Sequence, residues 1–396
     1  MRHIDLFAGC GGASLGLEKA GFTPAYASEL NPDALSTYLA NRDAIPHCNE
    51  MAMFNNDIAD LLVQLKSGAI TFDDQRIDLI IGGPPCQGYS GIGHRRSYAV
   101  DKQDQPSNHL YQKMADVISI IQPRAFVFEN VRGLLSGRWT PEGDKGEIWT
   151  DVQRAFDLPN YKVQSKLVYA KDFGVPQNRP RVLLIGVRKD CLINDSVSLI
   201  PEPSGVRAPH LWEVLGDLGD GGYSSDPQTA EQLLYRQLPT GSINRSHVPI
   251  SLTPMQTVTE QDLPKHKPQT VAKYQSILDN NGVILPEYKT RKFSLRLLPR
   301  EWENAPNITI ASNDADYIHY EQPRTLTVRE WARLQGFPDW YTFCGKRTTG
   351  GIKRAGNPQA GIYTREAPKY TQIGNAIPVL LAKAIGHHIR TILKPI

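Results

Sequence analysis

The chain contains 396 residues, of which 40% are hydrophobic and 21% are charged. These proportions are typical of a soluble globular protein, and the length allows about two domains. No apolar run approaches the length that a membrane-spanning helix needs, so no such helix is predicted. The formal net charge of +3 neither requires nor excludes a nucleic-acid partner, because a basic face can be hidden in the average.

The cysteines are widely spaced, and no two of them form a CxxC pair: Cys10, Cys48, Cys86, Cys191 and Cys344. A disulfide framework or a zinc site is therefore not expected, and no metal is predicted. The N-terminal stretch MRHIDLFAGCGG is too short and too rich in glycine for a signal peptide. Reduced thiols favour a cytosolic compartment, so we predict a cytoplasmic protein.

Short apolar runs alternate with helical patterns over residues 1–190, which is typical of βαβ units and a parallel sheet. The strand candidates are His3–Phe7, Thr23–Ser28, Ile77–Ile81, Ala125–Phe128, Lys166–Tyr169 and Val182–Val187. One helix face is formed by Leu110, Met114, Val117, Ile118 and Ile121. We predict an α/β domain with a Rossmann-like sheet and helices on both of its faces.

Residues 191–322 are rich in Pro, Ser, Asn, Gln and Asp and show few periodic segments. Recurring large apolar residues indicate a second, smaller, irregular and mostly β domain rather than disorder. Order returns where Thr327 and Glu330 form a capping-box pattern and Gly336 and Pro338 end a helix. Together with a last apolar helix after GNAIP, this predicts that residues 323–396 return to the first domain and contribute the hinge.

The stretch DLFAGCGGASLGLEKAGF indicates a strand, a glycine turn and a helix. Glycines at such a turn let backbone approach a ligand, and Glu29 at the end of the next strand can accept ribose hydroxyls. The spacing is GxGG rather than the GxGxxG that a diphosphate needs. We therefore favour S-adenosyl-L-methionine over a nicotinamide cofactor. Asp57 and Ile58 fit an adenine contact, although their spacing alone favours an N-cap aspartate.

Cys86 lies in the stretch GGPPCQGYSG, directly after the apolar run Ile77–Ile81. Pro84 and Pro85 restrict the backbone and would hold the thiol at the carboxyl end of a strand, where ligands of open α/β sheets bind. A structural cysteine usually lies inside an apolar run, whereas this one lies in a turn. We interpret Cys86 as a nucleophile.

Two further stretches place polar groups beside strands. Glu129 follows the strand AFVF and would meet the thiol if the two strands are neighbours; the alternative is an acid at a helix N-terminus. Arg179 and Arg181 in QNRPR would point the same way on an extended segment. They could hold a carbonyl, phosphate or carboxylate, or be ordinary charges at a sheet edge.

With these stretches in order, the chain resembles the DNA (cytosine-5)-methyltransferases of bacterial restriction-modification systems. The blocks that carry the resemblance are DLFAGCGG, GGPPCQGYS, FENV, QNRPR, RTLTVREWARLQGFPD and QIGNAIP. They cover nearly all of residues 1–190 and 323–396. The resemblance implies that residues 191–322 form the target-recognition domain, because this region varies in the family with the DNA sequence that is read.

The resemblance also implies catalytic roles. Cys86 matches the nucleophile that attacks cytosine C6, and Glu129 matches the carboxyl group that hydrogen-bonds N3 and the exocyclic amine. Arg181 matches the arginine that contacts the cytosine O2, with Arg179 in support. Addition of the thiolate makes C5 able to accept a methyl group, and the target base must leave the duplex first.

For the cofactor, the resemblance implies S-adenosyl-L-methionine, with S-adenosyl-L-homocysteine as the product. The residues implied are Phe7, Ala8, Gly9, Gly11, Gly12, Glu29, Leu30, Asp57, Ile58, Pro84 and Asn375. Among them, Glu29 corresponds to the ribose-binding acid and Asn375 helps to close the pocket. The departures from the family pattern are few, and we have no functional account of the segment Arg138–Trp149.

Double-stranded DNA is the expected partner, and two basic stretches, 289–300 and 346–369, could contact phosphates. The alternative is that both are solvated loops. The candidate DNA contacts are Gln87, Ser90, Arg95, Arg96, Arg291, Lys292, Lys353 and Arg354. We expect a monomer that acts on DNA in the nucleoid, with no membrane partner. The resemblance implies a companion restriction endonuclease that acts separately, although an orphan enzyme is equally consistent with the sequence.

The expected function is thus sequence-specific methylation of cytosine C5 in duplex DNA. Two alternatives use the same scaffold: an RNA cytosine-5 methyltransferase, and a DNA-binding relative without catalysis. The DNA sequence that is recognised does not follow from the chain, because base contacts depend on loop geometry.

Overall fold

The computed structural model describes residues 1–42, 57–72, 76–85, 106–239, 250–289, 295–312, 316–349 and 366–395. Several predicted functional residues lie outside these ranges: Cys86, Gln87, Ser90, Arg95, Arg96, Arg291, Lys292, Lys353 and Arg354. None of the helices in the described ranges combines the length and the apolar character that crossing a bilayer needs.

A six-stranded sheet organises the first half of the chain. Its strands are β1 (Arg2–Leu6), β2 (Thr23–Ser28), β3 (Leu79–Gly82), β4 (Ala125–Val131), β5 (Tyr161–Tyr169) and β6 (Pro180–Arg188). The spatial order is β2-β1-β3-β4-β6-β5. Strands β2, β1, β3 and β4 pair in parallel, whereas β6 runs antiparallel to both β4 and β5. The predicted α/β sheet is confirmed, with one reversed strand that the sequence pattern did not indicate.

Helices cover both faces of this sheet, as predicted. They are α1 (Gly12–Lys19), α2 (Pro32–Ala40), α3 (Ile58–Ser67), α4 (Leu110–Ile121) and α5 (Glu147–Ala155). Alternate strand residues enter two separate cores, as the two-residue period of a strand requires. Ile80 and Phe126 pack with α3, α4 and α5, whereas Ile81 and Val127 pack with α1 and the C-terminal helix. Both faces are therefore buried.

The region 191–322 consists of short elements. They are α6 (Leu211–Leu215), β7 (Leu218–Gly219), β8 (Gly222–Tyr223), α7 (Ala230–Arg236), β9 (Gln237–Pro239), β10 (Ile250–Pro254), α8 (Pro268–Asp279), β11 (Arg296–Leu297) and β12 (Tyr317–Ile318). In its described part the region differs from the mostly β expectation, because it contains three helices beside three two-stranded pairings. Local start signals explain two of them: Thr229 caps α7, and a proline opens α8.

The C-terminal segment contains α9 (Val328–Leu334), α10 (Lys369–Asn375) and α11 (Val379–Ile392). The predicted capping box is present, because Thr327 Oγ1 accepts from the Glu330 N–H at 3.1 Å and the Glu330 carboxylate accepts from the Thr327 N–H at 2.8 Å. Trp331 of α9 belongs to a core that also contains Leu211 and Trp302 of the middle region. Helix α11 instead packs on the sheet with α1. The segment 323–396 therefore contacts both halves of the chain.

Candidate active site

The glycine turn after β1 directs the Gly9 N–H toward Glu29, the residue that follows β2. Gly9 and Gly11 have φ values of 56° and 85°, in the left-handed region that favours glycine. The Glu29 carboxylate accepts from the Gly9 N–H at 2.8 Å through Oε2 and from the Asn31 N–H at 2.7 Å through Oε1. Burial raises the pKa of Glu29, and these two bonds act in the opposite direction. Each oxygen keeps a second lone pair for a donor such as a ribose hydroxyl.

The glycines of the turn are required for different reasons. A Cβ at Gly9 would enter open space, so this side of the turn is accessible to a ligand. A Cβ at Gly11 would lie 2.7 Å from both Arg42 Nη1 and Tyr341 Oη. A Cβ at Gly12 would lie 2.6 Å from Ile377 O. Packing therefore accounts for Gly11 and Gly12, and their contact with a cofactor stays a prediction.

The other predicted cofactor residues near the turn differ in exposure. Phe7 is half-buried and has a positive φ of 61°, whereas Ala8 is buried. Leu30 is 68% exposed directly beside Glu29. The contact of Phe7, Ala8 and Leu30 with a cofactor stays a prediction.

Asp57 and Ile58 begin α3. The Asp57 carboxylate accepts from the Ala59 N–H at 2.9 Å, so the N-cap role that its spacing favours is present. Ile58 is 3% exposed and belongs to the core under α3 and α4. Their contact with adenine stays a prediction, as does that of Asn375, which is exposed at the end of α10.

Strand β3 leads toward Cys86, and its end is held by a neighbouring strand. Because β3 and β4 pair in parallel with Gly82 opposite Phe128, the expected adjacency of the two strands is confirmed. Asn130 donates from Nδ2 to Pro84 O at 3.1 Å, and Pro84 is buried. Cys86 itself lies outside the described residues, but Pro84, two residues before it, is held at this edge.

Glu129 lies on β4 and forms an ion pair with Arg181 of β6. Arg181 Nε is 2.5 Å from Glu129 Oε1, and both side chains are 9% exposed. The contact follows from the antiparallel register, in which Glu129 faces Leu183 and Arg181 faces Val131, so the two are diagonal neighbours on one face. Glu129 Oε2 also lies over Gly83, where a Cβ would approach it to 2.9 Å. The carboxylate therefore lies between Arg181 and the backbone that leads to Cys86.

Arg179 contacts different groups from Arg181. Its Nη1 donates to Ile310 O at 2.6 Å, and its Nη2 donates to Gly374 O at 2.6 Å and to Ala376 O at 3.3 Å. These bonds join the start of β6 to the middle region and to the end of α10. The structure thus assigns Arg179 a role in holding the chain together, and its support of catalysis stays a prediction.

Cys10 lies within the glycine turn, between Gly9 and Gly11. It is buried, its thiol donates to Gln372 O at 3.4 Å, and burial raises its pKa to about 12. A thiol of this kind is not ionised near neutral pH and is a poor nucleophile. Cys10 therefore does not compete with Cys86 for the catalytic role.

A buried polar network lies beneath the glycine turn. Ser14 Oγ donates to Asp5 Oδ2 at 2.7 Å and lies 3.0 Å from both His3 Nε2 and Tyr38 Oη. Burial raises the pKa of Asp5 to about 7, although the bond from Ser14 and the charge of Arg42 act in the opposite direction. The Asp5 carboxyl group is therefore largely protonated in the folded protein below neutral pH.

Asp5→Asn is expected to change how stability depends on pH. A raised pKa in the folded state stabilises the fold below the ordinary pKa of 3.8, and this contribution disappears as the pH rises to about 7. An asparagine does not ionise, so the variant should gain about 2–3 kcal/mol relative to the parent between pH 5 and pH 8. Urea unfolding at both pH values measures the difference. A constant difference would show that Asp5 ionises normally.

A family model for C-5 cytosine-specific DNA methylases matches residues 1–391. The chain belongs to this family. It is 30% identical over 395 residues to the Type II methyltransferase M1.HphI of Haemophilus parahaemolyticus, with 98% of the chain and 86% of the relative covered. It is 31% identical over 412 residues to M.DdeI of Desulfomicrobium norvegicum, with 98% and 88% covered. The protein is thus a DNA cytosine-5 methyltransferase of the restriction-modification type.

The solved structures confirm the fold of this methyltransferase. A crystal structure of a DNA modification methyltransferase encoded within an E. coli prophage superposes with a TM-score of 0.68. It is 22% identical, and 99% of each chain is covered. The Dnmt2 methyltransferase of S. pombe superposes with a TM-score of 0.52 at 15% identity, with 99% of this chain and 97% of that chain covered.

Some residues that shape the methyltransferase site were missed in the sequence. Asn130 fixes Pro84 O, and Gln177 donates from Nε2 to Leu334 O at 2.8 Å and to Gln335 Oε1 at 2.7 Å. Asn130 lies in FENV and Gln177 lies in QNRPR, two stretches that carry the family resemblance. The sequence therefore indicated the positions of these residues but not their hydrogen-bond partners. Arg42 and Tyr341 contact the glycine turn, but neither lies in a motif that predicts such a contact from the sequence.

Proposed function

We propose that this methyltransferase uses S-adenosyl-L-methionine, held by the glycine turn and Glu29. The fit depends on three features of the described residues: open space beside Gly9, a carboxylate with free lone pairs at Glu29, and the exposed apolar side chain of Leu30. When bound, the cofactor supplies an electrophilic methyl group and leaves as S-adenosyl-L-homocysteine. Phe7, Asp57 and the other residues implied by the resemblance complete the proposed site.

The catalytic proposal assigns a covalent route to Cys86, Glu129 and Arg181. The Cys86 thiolate adds to C6 of a flipped cytosine, and the electrons shift toward N3, which takes a proton from the Glu129 carboxyl group. Glu129 holds N3 and the exocyclic amine, while Arg181 contacts O2 with Arg179 in support. After C5 is methylated, loss of the C5 proton and departure of the thiolate restore the ring.

The position of the Glu129–Arg181 pair supports these catalytic roles. The buried Glu129–Arg181 pair lies at the carboxyl end of β4, directly beside the strand that leads to Cys86. A carboxylate and a guanidinium 2.5 Å apart offer both an acceptor and donors to one edge of a pyrimidine. The site is thus complementary to cytosine on the side that must carry charge when C6 is attacked.

The proposal extends to the chain's organisation and partners. Residues 1–190 form the catalytic and cofactor-binding domain, residues 191–322 the target-recognition domain, and residues 323–396 return to the catalytic domain and the hinge. The enzyme acts as a cytoplasmic monomer on duplex DNA in the nucleoid, and a companion endonuclease acts separately. The DNA contacts are those predicted from the two basic stretches and from the residues after Cys86.

The test compares methyl transfer from labelled S-adenosyl-L-methionine to duplex DNA and to tRNA. Wild-type protein is then incubated with DNA that contains 5-fluorocytosine. Because fluorine cannot leave C5 as a proton does, elimination stops and the Cys86–C6 bond persists through denaturation. We expect a covalent complex between the protein and the DNA when the cofactor is present, and none with Cys86→Ser.

Three results would contradict the proposal in different ways. Transfer to tRNA alone would identify an RNA methyltransferase on the same scaffold. DNA binding without transfer would identify a relative without catalysis. Equal activity in Cys86→Ser would remove the covalent route while leaving the family assignment intact.

A further inference from the structure

Two buried side chains from distant parts of the chain contact the rear of the cofactor turn. Tyr341, which follows α9, donates from Oη to Cys10 O at 2.5 Å. Arg42, which follows α2, donates from Nη2 to Gly11 O at 3.3 Å. The two are joined, because Arg42 Nη1 donates to Tyr341 Oη at 3.2 Å. We call Arg42 and Tyr341 the turn clasp.

The orientation of Arg42 is fixed by an ion pair with Glu18. Its Nε lies 2.8 Å from Glu18 Oε1 and its Nη2 lies 3.2 Å from Glu18 Oε2, so the guanidinium contacts both oxygens of the carboxylate. Arg42 is 5% exposed and Glu18 is 3% exposed. Nη1 also donates to Tyr38 O at 3.0 Å. A charge held this way in a buried site has little freedom to move away from the turn.

Tyr341 is fixed through the segment that carries it. Asn41 donates from Nδ2 to Thr342 O at 2.8 Å and accepts from the Thr342 N–H at 2.8 Å. Thr37 Oγ1 accepts from the Cys344 N–H at 2.8 Å. The segment after α9 is therefore bonded along α2, the helix that begins just after Glu29 and Leu30.

The turn clasp contacts one side of the glycine turn, and the proposed cofactor side is the opposite one. Gly9 faces open space and donates to Glu29, whereas the next two carbonyl groups, of Cys10 and Gly11, face the clasp. Positive φ values alternate through the turn, at Phe7, Gly9 and Gly11. Backbone bonds already hold Gly11, whose N–H donates to Ala8 O at 2.9 Å and whose carbonyl accepts from the Leu15 N–H at 2.9 Å. The bonds from Tyr341 to Cys10 O and from Arg42 to Gly11 O further limit rotation of the turn. They also explain why a side chain at Gly11 would collide with Arg42 and Tyr341.

We propose that Tyr341 and Arg42 are positioning residues for the cofactor, acting through the turn rather than by touching the ligand. The inference rests on the proposed use of S-adenosyl-L-methionine. It assigns to the segment after α9 a part in cofactor affinity, although this segment is more than 300 residues from the turn in sequence. Loss of the clasp loosens the turn and weakens cofactor binding, while the Glu129–Arg181 pair is unchanged.

The test is Tyr341→Phe, which removes one hydroxyl group and keeps the ring. Binding of S-adenosyl-L-homocysteine is measured by calorimetry, and the KM for S-adenosyl-L-methionine and kcat are measured with saturating DNA. We expect the Kd for S-adenosyl-L-homocysteine and the KM to rise between about 3- and 10-fold, because cofactor binding must then order a looser turn and one buried hydrogen bond sets the upper limit of that cost. We expect kcat at saturating cofactor to change less than about 2-fold, since the turn holds the cofactor and the Glu129–Arg181 pair is unchanged.

Tyr161→Phe is the matched control. Tyr161 is buried on β5 and donates from Oη to Pro123 O at 2.6 Å, so the variant loses the same kind of bond far from the turn. Its cofactor affinity should equal that of the parent. Equal loss in both variants, or none in Tyr341→Phe, would overturn the proposal.

Arg42→Lys gives an independent measurement, because it keeps the charge beside Glu18 but loses the two-pronged contact. We expect the Kd for S-adenosyl-L-homocysteine to rise in this folded variant, and an unchanged Kd would also count against the clasp. Wild-type protein that does not bind S-adenosyl-L-homocysteine would contradict the proposed function instead. The two failures are therefore distinguishable.

Discussion

Replacing Glu129 with glutamine is expected to lower kcat for DNA methylation by roughly 10²- to 10⁴-fold. The amide keeps the size of the side chain, but it can neither carry the charge nor transfer a proton as electron density moves to cytosine N3. The effect should appear in kcat at saturating DNA and cofactor, because the cofactor turn is separate from the Glu129–Arg181 pair. Single-turnover methyl transfer measures it directly.

The same change should also destabilise the protein. Arg181 would remain buried without the carboxylate that is 2.5 Å from it, and breaking such a pair costs about 3–5 kcal/mol. The catalytic effect must therefore be separated from the loss of folded protein. Urea unfolding of Glu129→Gln measures the loss of stability, and kcat per folded enzyme measures the catalytic effect.

Asp78→Asn is the matched control for this experiment. Asp78 is buried, lies 3.1 Å from Arg124, and precedes β3 at the amino end of the sheet, away from the site. We expect a comparable loss of stability with kcat per folded enzyme within about 2-fold of the parent, since no binding contact is removed. If Asp78→Asn loses as much turnover as Glu129→Gln, the assigned role of Glu129 is wrong.

Arg333→Met is expected to destabilise the protein by about 3–5 kcal/mol. Arg333 of α9 is fully buried and pairs with Asp217 at 2.5 Å and with Asp339 at 2.7 Å. Burial alone would lower the pKa of Arg333, but the two carboxylates raise it. Removing the guanidinium leaves both carboxylates buried together, which is the costly outcome.

Asp217 lies in the middle region, so this pair also joins that region to α9. Arg236 donates to the same carboxylate from Nε at 2.7 Å, and part of the charge therefore stays compensated in the variant. The free energy of unfolding from urea titration measures the loss. Limited proteolysis should in addition cleave the region 191–322 faster in the variant, because its contacts with α9 are weakened.

An exposed ion pair provides the comparison. Arg207 pairs with Glu213 at 2.8 Å, and the Arg207 side chain is 58% exposed. Solvent screens such a pair, so Arg207→Met should change stability by less than about 1 kcal/mol. Similar losses in Arg207→Met and Arg333→Met would mean that burial of the network contributes nothing.

Local signals in the sequence were sufficient for the elements that build the site. The alternating apolar runs predicted the strands, the face containing Met114 predicted α4, and Thr327 with Glu330 predicted the start of α9. Each of these depends on neighbouring residues, whose period or capping chemistry is the same in any fold. The position of Glu129 beside the strand before Cys86 followed in the same way once β3 and β4 were taken as neighbours.

Strand direction and long-range partners were decided only by the tertiary structure. A strand of given pattern is equally apolar in either direction, so nothing local indicated that β6 is reversed. That reversal sets the register that brings Arg181 to Glu129. Arg179 instead donates hydrogen bonds to the carbonyl groups of Ile310 and Gly374.

In the cofactor turn, too, some features follow from the local sequence and others only from the tertiary structure. Its sequence determined a glycine turn after β1 and an acid after β2, because backbone freedom and strand ends are local properties. It did not determine that Gly11 faces Arg42 and Tyr341, since those side chains arrive from separate segments. Contacts between residues far apart in sequence depend on the whole packing arrangement, and only the folded chain specifies it.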